Sequence, residues 1–486
     1  MSEQPNIIMV LVDDMGAWGM GCAGNPDIRT PNLDALAASG MRFGNCFCAS
    51  PVCSPARATL LTGRMPSQHG VHDWIRAGDT VARYEPERGG ERIEYLRGQT
   101  GYTDVLAAAG YECGLSGKWN LGDSHQPQKG FEFWHVHAKG GGPYHGAPMV
   151  EDGRLYEEPD YVTDAIARNA INWLEGRRDI TRPFYLGVHF TAPHSPWERG
   201  HHPAELFDDY YQSCEFASIP WNERAPDWVR FRSIPVDDDE KRRTFLSGYA
   251  AATTAMDAAV GRLLAWLDAH GLRERTLILF TGDNGMNMGH HGLFGKGNAT
   301  YPLNFFDTSV RVPFIASHPG RIPSGRVDDG LVGHVDFFQT LLEYAGLPVP
   351  DFDVPLPGRS FLGRLTGEVQ PPSAEDDAVM VCDEYGAARM IRTGRWKWVE
   401  RLIEGPDELY DLTVDPDERE NLASCAEWAA VARDLHQRLE AWFDAYSTPE
   451  HDGRAAPVTG AGQLQRWDAQ AGNASAFAPL PGGERP

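Results

Sequence analysis

Near the amino terminus, Asn6–Val12 forms an unbroken run of mostly apolar residues that ends in the acidic pair Asp13-Asp14. Such a run is typical of a central strand in a parallel sheet, because helices cover both faces of that strand. Thr276–Phe280 has the same character and is followed closely by Asp283-Asn284. Ligands of open α/β sheets bind beyond the carboxyl ends of the strands. The pattern therefore predicts an α/β fold with oxygen-bearing side chains at one edge of its sheet.

These polar groups have the chemistry of a metal site. Adjacent carboxylates repel each other unless a cation lies between them, and hard cations prefer oxygen ligands. Taken alone, Asp13-Asp14 also fits a solvated turn, and Asp283-Asn284 followed by glycine also fits a tight turn. Two such groups at two strand ends make a site for a hard cation the better interpretation.

Residues 51–64 predict a sharp change from strand to helix. Met41–Cys48 is a short apolar and aromatic segment that predicts a strand, and Ala56–Leu61 predicts the first turns of a helix. Ser54 suits the N-cap, and Pro55 suits the first helical position, where its missing N–H costs nothing.

Cys53 is placed by this pattern beside the amino-terminal end of a helix. Unpaired backbone N–H groups there favour an anion and would lower the pKa of a thiol. Arg57 follows one helical turn later and returns to the same face. An isolated cysteine at a helix start is more often a small buried apolar residue. The alternative interpretation is a nucleophile beside a cationic clamp.

The sequence Cys-Ser-Pro-Ala-Arg at 53–57, followed by Leu-Thr-Gly-Arg at 61–64, resembles the signature of the type I sulfatases. The resemblance continues in order over about residues 5–450. It implies an alkaline-phosphatase-like α/β sandwich with a central mixed sheet flanked by helices, plus a small C-terminal subdomain with an antiparallel sheet. It also implies that a formylglycine-generating enzyme converts Cys53 to formylglycine, whose hydrated aldehyde is the nucleophile. The implied ligands of a Ca²⁺ or Mg²⁺ ion are Asp13, Asp14, residue 53, Asp283 and Asn284.

The resemblance also supplies the cationic groups that bind sulfate. Lys118 lies in Gly-Lys-Trp-Asn, where the family often has Gly-Lys-Trp-His, and Lys296 is similar to a second sulfate-binding lysine. With Arg57 these lysines would neutralise the sulfuryl oxygens. Asn120 stands where the family's histidine touches a formylglycine hydroxyl, and an amide cannot accept that proton at neutral pH. This departure leaves open which residue acts as the base.

His194 lies between two prolines in Pro-His-Ser-Pro, which resembles the family's Pro-His-x-Pro segment. The resemblance implies that His194 protonates the leaving group, while a surface turn is the alternative. The residues expected to carry catalysis or substrate binding are Cys53, Arg57, Lys118, His194 and Lys296.

The implied reaction is hydrolysis of a sulfate ester of a carbohydrate, an aryl group or an alkyl group. A phosphonate or phosphate ester hydrolase on the same scaffold is an alternative, since tetrahedral anions of similar size fit one pocket. An inactive sulfatase-like binding protein is a third interpretation, which Cys53 and the complete set of metal ligands oppose.

The composition and net charge of the chain restrict the kinds of molecule that it can bind. The formal net charge of −24 over 486 residues argues against nucleic acid or an anionic membrane as a general partner, so a sulfated substrate needs a local positive pocket. Eight cysteines without a CxxC pair favour neither a zinc site nor a dense disulfide framework. The start of the chain lacks the features of a signal peptide, and no apolar run approaches about 18 residues. We therefore expect a cytoplasmic protein, provided that Met1 is the natural start.

The predicted domains follow from composition and the C-terminal pattern. Residues 1–372 are expected to form the catalytic domain, and residues 373–450 a subdomain of antiparallel strands and one helix. Residues 451–486 are rich in glycine, alanine and proline, and are expected to be loosely packed or to wrap the surface.

Overall fold

A mixed ten-stranded sheet forms the centre of the computed structural model, which describes residues 4–80, 91–179, 181–221, 223–231, 238–369, 377–383, 388–468, 472 and 474–479. The strands of the described residues are, in chain order, β1 (Asn6–Val12), β2 (Met41–Phe47), β3 (Glu112–Lys118), β4 (Phe133–His137), β5 (Ala147–Glu151), β6 (Arg154–Glu158), β7 (Phe184–His189), β8 (Arg230–Phe231), β9 (Thr276–Gly282), β10 (Asn287–Met288), β11 (Phe294–Gly295), β12 (Thr300–Tyr301), β13 (Arg311–Ser317), β14 (Arg326–Gly333), β15 (Ala378–Asp383), β16 (Ala388–Thr393), β17 (Trp396–Arg401) and β18 (Glu408–Asp411). The order across the large sheet is β14-β2-β13-β9-β1-β7-β3-β4-β5-β6.

Helices cover both faces of this sheet. The helices of the described residues are, in chain order, α1 (Pro31–Ala38), α2 (Cys53–Thr62), α3 (Pro66–His69), α4 (Tyr102–Ala108), α5 (Val162–Gly176), α6 (Ala204–Ser213), α7 (Asp239–Ala269), α8 (Asp307–Val310), α9 (Phe337–Tyr344), α10 (Leu362–Leu365) and α11 (Ala429–Tyr446). Side chains alternate across a strand. Accordingly Ile7, Met9 and Leu11 of β1 enter one core, and Ile8, Val10 and Val12 enter the other. This arrangement confirms the predicted α/β sandwich.

The four strands at the middle of the sheet run parallel and end at the same edge. Strand β1 pairs with β9 on one side and β7 on the other, and β7 pairs with β3. The register aligns Val12 with Gly282 and His189 with Gly117. The residues that follow β1, β9 and β7, together with the last residue of β3, therefore meet at one edge, as the two apolar runs predict.

The small C-terminal sheet is antiparallel, with the order β15-β16-β17-β18. Helix α11 packs on it through Leu435, Leu439 and Phe443, which form a core with Ile391 and Leu409. This confirms the predicted antiparallel sheet with one helix. The predicted boundary between residues 372 and 373 lies outside the described residues.

The described part of the C-terminal tail is well packed. Of the two predicted alternatives, loose packing is therefore wrong for these residues. Gln463 is fully buried and pairs with the segment at Ile75 through an isolated bridge. Apolar side chains of the tail join the largest core: Val458, Trp467 and Phe477. The tail lacks long apolar runs, but it is anchored by a few large side chains and by backbone pairing.

No helix in the described ranges is long and apolar enough to cross a membrane.

Candidate active site

Cys53 is the first residue of α2, and Val52 is the N-cap. The prediction that Ser54 caps the helix is therefore wrong by two positions. The hydroxyl of Ser54 instead accepts a hydrogen bond from the backbone N–H of Ile75, with 3.0 Å between N and Oγ. The hydroxyl of Ser54 is therefore used by Ile75 and does not cap the helix. Cys53 lies between strand and helix, as expected.

Carboxylates from two strand ends surround the thiol of Cys53. The Sγ atom lies 3.2 Å from Oδ1 of Asp13 and 3.7 Å from Oδ1 of Asp14. Asp283 accepts a hydrogen bond from the backbone N–H of Asp14 at 3.2 Å, which joins the end of β9 to the end of β1. One ligand atom from each of these four residues lies within 4.8 Å of the others, and all four residues are buried.

Asn284 completes the set of oxygen donors. Its amide nitrogen donates to Oδ1 of Asp14 at 2.9 Å, whereas its Oδ1 atom is buried and has no hydrogen-bond partner among the described residues. A buried carbonyl oxygen without a partner is costly unless a cation or water satisfies it. Three carboxylates and one amide oxygen fit a hard cation such as Ca²⁺ or Mg²⁺.

Three cationic side chains enter the same corner. Lys118 Nζ lies 2.5 Å from Oδ2 of Asp13, and Lys296 Nζ lies 2.5 Å from Oδ1 of Asp14 and 2.7 Å from Sγ of Cys53. Arg57 Nε donates to Oδ2 of Asp283 at 2.8 Å. The Nη2 atom of Arg57 is buried without a hydrogen-bond partner in the described part of the chain. Each of the three cations is thus paired with a carboxylate, and Arg57 keeps one buried donor group that no described residue accepts.

Asp14 and Lys296 hold each other in the ionised state. Burial would raise the pKa of Asp14, but Lys296 and then His194 lower it below its ordinary value. Burial would lower the pKa of Lys296, but Asp14 and then Cys53 raise it well above its ordinary value. A negative carboxylate and a positive ammonium group are therefore fixed beside Cys53.

Burial, and then the charge of Asp13, raise the pKa of the Cys53 thiol well above its ordinary value. The prediction of a lowered thiol pKa is therefore wrong. Cys53 lies at the amino-terminal end of α2 as expected. Desolvation and the charge of Asp13 raise its pKa by more than the helix N-terminus lowers it. An unmodified thiol here is a poor nucleophile, because the thiolate is the reactive form.

His194 lies at the opening of the site. Its Nε2 atom is 3.5 Å from Oδ2 of Asp14, and its Nδ1 atom is 2.6 Å from the backbone oxygen of Ser195. Because a carbonyl oxygen can only accept, Nδ1 carries a proton. Nε2 carries a proton only in the charged imidazolium, the form that can act as an acid.

Two cavities, of about 460 and 350 Å³, meet at His194, Lys296 and Asn298. The larger one is lined mainly by apolar and aromatic side chains, including Trp197 and Phe245. The smaller one is lined by the following residues: Val52, Cys53, Trp74, Ile75, Lys118, Asn120, Lys139, Gly140, Gly141, His194, Lys296 and Asn298. All predicted site residues are thus brought together at one corner.

Trp74, Lys139 and Asn298 also line the smaller cavity but are not predicted from the sequence, because no distinctive spacing marks them. Trp74 and Lys139 lie in loops, and Asn298 lies in a single turn of 3-10 helix. Asn120, the departure from the sulfatase pattern, does line the cavity. Its φ of 57° lies in the left-handed region, which asparagine tolerates better than most residues. An amide therefore faces the cavity where the family often has a histidine.

Comparisons with known proteins agree with this geometry. A family model described as Sulfatase matches residues 5–347, and one described as N-sulphoglucosamine sulphohydrolase, C-terminal, matches residues 289–444. The chain is 28% identical to an N-acetylglucosamine-6-O-sulfatase of Bacteroides thetaiotaomicron, over 93% of this chain and 88% of that protein. The structure of BT4656 in complex with its substrate D-glucosamine-2-N,6-O-disulfate is similar with a TM-score of 0.73 and 27% identity, over 91% of this chain and 98% of that one.

A phosphonate monoester hydrolase of Agrobacterium radiobacter is also similar, with a TM-score of 0.66 and 22% identity, over 91% of this chain and 96% of that one. At that identity the likeness shows the fold alone.

The sandwich and its acidic, cation-lined corner define a hydrolase of the alkaline-phosphatase-like superfamily. Since the first family model spans well over half of the chain, the protein belongs to the sulfatase family. As a member of that family it is a sulfuric ester hydrolase.

Proposed function

We propose that the protein hydrolyses the sulfate monoester of a saccharide, with a formylglycine made from Cys53 and a divalent cation. The observation that carries this proposal is the position of Cys53 Sγ, 3.2 Å from Asp13 and 2.7 Å from Lys296 Nζ at the start of α2. A raised thiol pKa supports a nucleophile other than the thiol. The formylglycine-generating enzyme is then a partner during maturation.

The hydrated aldehyde would supply a hydroxyl nucleophile, and a cation held by Asp13, Asp14, Asp283, Asn284 and residue 53 would polarise it. The chain's own cations bind the sulfuryl oxygens. Lys118 and Lys296 offer ammonium groups, and Arg57 offers an Nη2 atom with no protein partner in the described ranges. Such fixed donors stabilise charge that develops as the S–O bond breaks.

His194 is assigned to the leaving group. The ring lines both cavities, its Nε2 atom lies 3.5 Å from Oδ2 of Asp14, and its Nδ1 atom is held by the backbone oxygen of Ser195. The neutral imidazole that remains after proton transfer can be reprotonated from solvent, because the ring is 26% exposed. These features suit a general acid.

The proposal that the substrate is a sulfated saccharide rests on proteins to which this chain is similar. An N-acetylglucosamine-6-O-sulfatase and a neighbour bound to D-glucosamine-2-N,6-O-disulfate both act on sulfated hexosamines, according to their names. Two connected cavities beside His194 leave room for a sugar-sized leaving group.

A matched pair of esters tests the reaction. We expect turnover of 4-nitrophenyl sulfate to exceed turnover of the corresponding phenylphosphonate ester under the same conditions. Glucosamine 6-sulfate should release inorganic sulfate. Faster hydrolysis of the phosphonate, or binding of both esters without turnover, would contradict the proposal.

The cation site makes a separate prediction on stability. Adding Ca²⁺ or Mg²⁺ to chelator-treated protein should raise its Tm by a few degrees, because a ligand at a hundred times its Kd stabilises the fold by about 2.7 kcal/mol. Calorimetry would measure the shift. Asp283→Asn should abolish it, because that carboxylate belongs to the cluster.

Asp257→Asn is the matched control for this experiment. Asp257 is also buried, but it accepts hydrogen bonds from Asn32 and Leu33 and lies outside the acidic cluster. The variant should keep the shift in Tm caused by the cation. A shift that survives in Asp283→Asn would place the cation elsewhere.

A further inference from the structure

Trp74 lies on the wall of the smaller cavity together with Cys53 and Ile75. This wall is tied directly to the start of α2, because the N–H of Ile75 donates to the hydroxyl of Ser54. Part of the Trp74 side chain is exposed. An aromatic side chain therefore lines the same cavity as Cys53. The segment that carries it is hydrogen-bonded to α2 through Ile75 and Ser54.

The C-terminal tail fixes the orientation of this indole. The Nε1 atom of Trp74 donates to the backbone oxygen of Gly460 at 3.1 Å. Gly462 has a φ of +107°, and a Cβ atom there would lie 2.6 Å from Cβ of Arg76 and 3.0 Å from Cζ2 of Trp74. Only glycine allows the tail to approach the ring so closely.

Gln463 fastens the tail to the segment that carries Trp74. Its backbone N–H donates to the oxygen of Trp74 at 2.8 Å, and its backbone oxygen accepts from the N–H of Arg76 at 3.0 Å. Its side-chain oxygen accepts from the N–H of His72 at 2.9 Å, and its amide nitrogen donates to the oxygen of Gly70 at 2.9 Å. The side chain is fully buried, so these bonds do not compete with water.

We propose that Trp74 is a specificity-determining residue that packs against the leaving group of the sulfate ester, and that Gln463 is the residue that positions it. The inference rests on the proposed function and names a subsite for the same reaction. Because the indole N–H already donates to Gly460, Trp74 contributes apolar ring surface to the cavity, which suits the C–H face of a sugar or an aryl ring. Trp74 itself lies within the matched Sulfatase region, whereas residues 460–463, which position it, lie beyond both matched family models.

Steady-state kinetics with glucosamine 6-sulfate tests the role of Trp74. We expect Trp74→Ala to raise KM about tenfold while kcat stays within a few-fold, because a stacking contact is worth about one order of magnitude in affinity. Inhibition by inorganic sulfate, which needs only the cationic groups, should not change. Trp74→Phe should restore most of the affinity. An unchanged KM, or an equal loss of sulfate inhibition, would overturn the proposal.

Gln463→Ala tests the positioning role, with Gln465→Ala as the matched control. Gln465 is the same residue type two positions further on, and its side chain donates to Ser475 instead of the Trp74 segment. Gln463→Ala should raise KM, Gln465→Ala should not, and Gln463→Ala combined with Trp74→Ala should bind no more weakly than Trp74→Ala alone. Additive effects in the double variant would show that Gln463 acts in another way.

Binding measurements separate this inference from the proposed reaction. Calorimetry of glucosamine 6-sulfate with the Cys53→Ala protein measures affinity without turnover. The affinity should fall by the same tenfold when Cys53→Ala is combined with Trp74→Ala. Absence of turnover in the parent enzyme would count against the proposed function. Equal affinity with and without Trp74 would count against the subsite.

Discussion

Replacing Cys53 by alanine is expected to lower kcat for a sulfate ester by about four orders of magnitude or more, because the variant lacks the covalent nucleophile. The change is small in volume, and Cys53 is 5% exposed at the first position of α2. The fold should therefore persist while the reaction is lost. Steady-state kinetics with 4-nitrophenyl sulfate, together with thermal unfolding, would measure both effects.

Cys46→Ala is the matched control. Cys46 is also buried and lies in the strand that leads to the site, but it packs in the core and is not among the residues that line either cavity. The turnover of this variant should stay within a few-fold of the turnover of the parent enzyme. A Cys53→Ala protein that retains a tenth of the parent's turnover would contradict a covalent role for residue 53.

Lys118→Ala is expected to lower kcat/KM by about two to three orders of magnitude, the usual effect of removing one fixed donor to a developing anion. The Lys118 side chain is 1% exposed, and its Nζ atom lies 2.5 Å from Oδ2 of Asp13. Water cannot readily replace it there. The variant also leaves Asp13 without its cationic partner, so thermal unfolding must confirm that the protein remains folded before rates are compared.

Lys129→Ala controls for the loss of a partly buried lysine. Lys129 donates to the backbone oxygens of Leu96 and Gln99 and lies outside both cavities. Its replacement should change stability rather than turnover. Similar turnover in Lys118→Ala and in the parent enzyme would remove Lys118 from the sulfate-binding groups.

Much of the site could be predicted because its residues follow strand ends that are recognisable in the sequence. The apolar runs at β1 and β9 are adjacent and parallel, so Asp13-Asp14 and Asp283-Asn284 must meet once the sheet forms. The helix that begins at Cys53 brings Arg57 back to the same corner. In these cases local pattern and tertiary structure agree.

Other features depended on contacts between distant parts of the chain. Ser54 is a good N-cap by propensity, but the N–H of Ile75 uses its hydroxyl. The thiol pKa of Cys53 is set by burial and Asp13 rather than by the helix end. The tail was expected to be loose because it has few apolar residues, yet Gln463 joins the segment around Trp74. Composition cannot reveal such pairing across nearly four hundred residues.

The most direct test is mass spectrometry of the tryptic peptide Phe43–Arg57 from active enzyme. This peptide contains Cys46, Cys48 and Cys53. We predict that the mass change of a thiol converted to an aldehyde is found at Cys53 alone, and that the converted fraction follows specific activity between preparations. Fully active enzyme in which Cys53 remains an unmodified thiol would contradict the account.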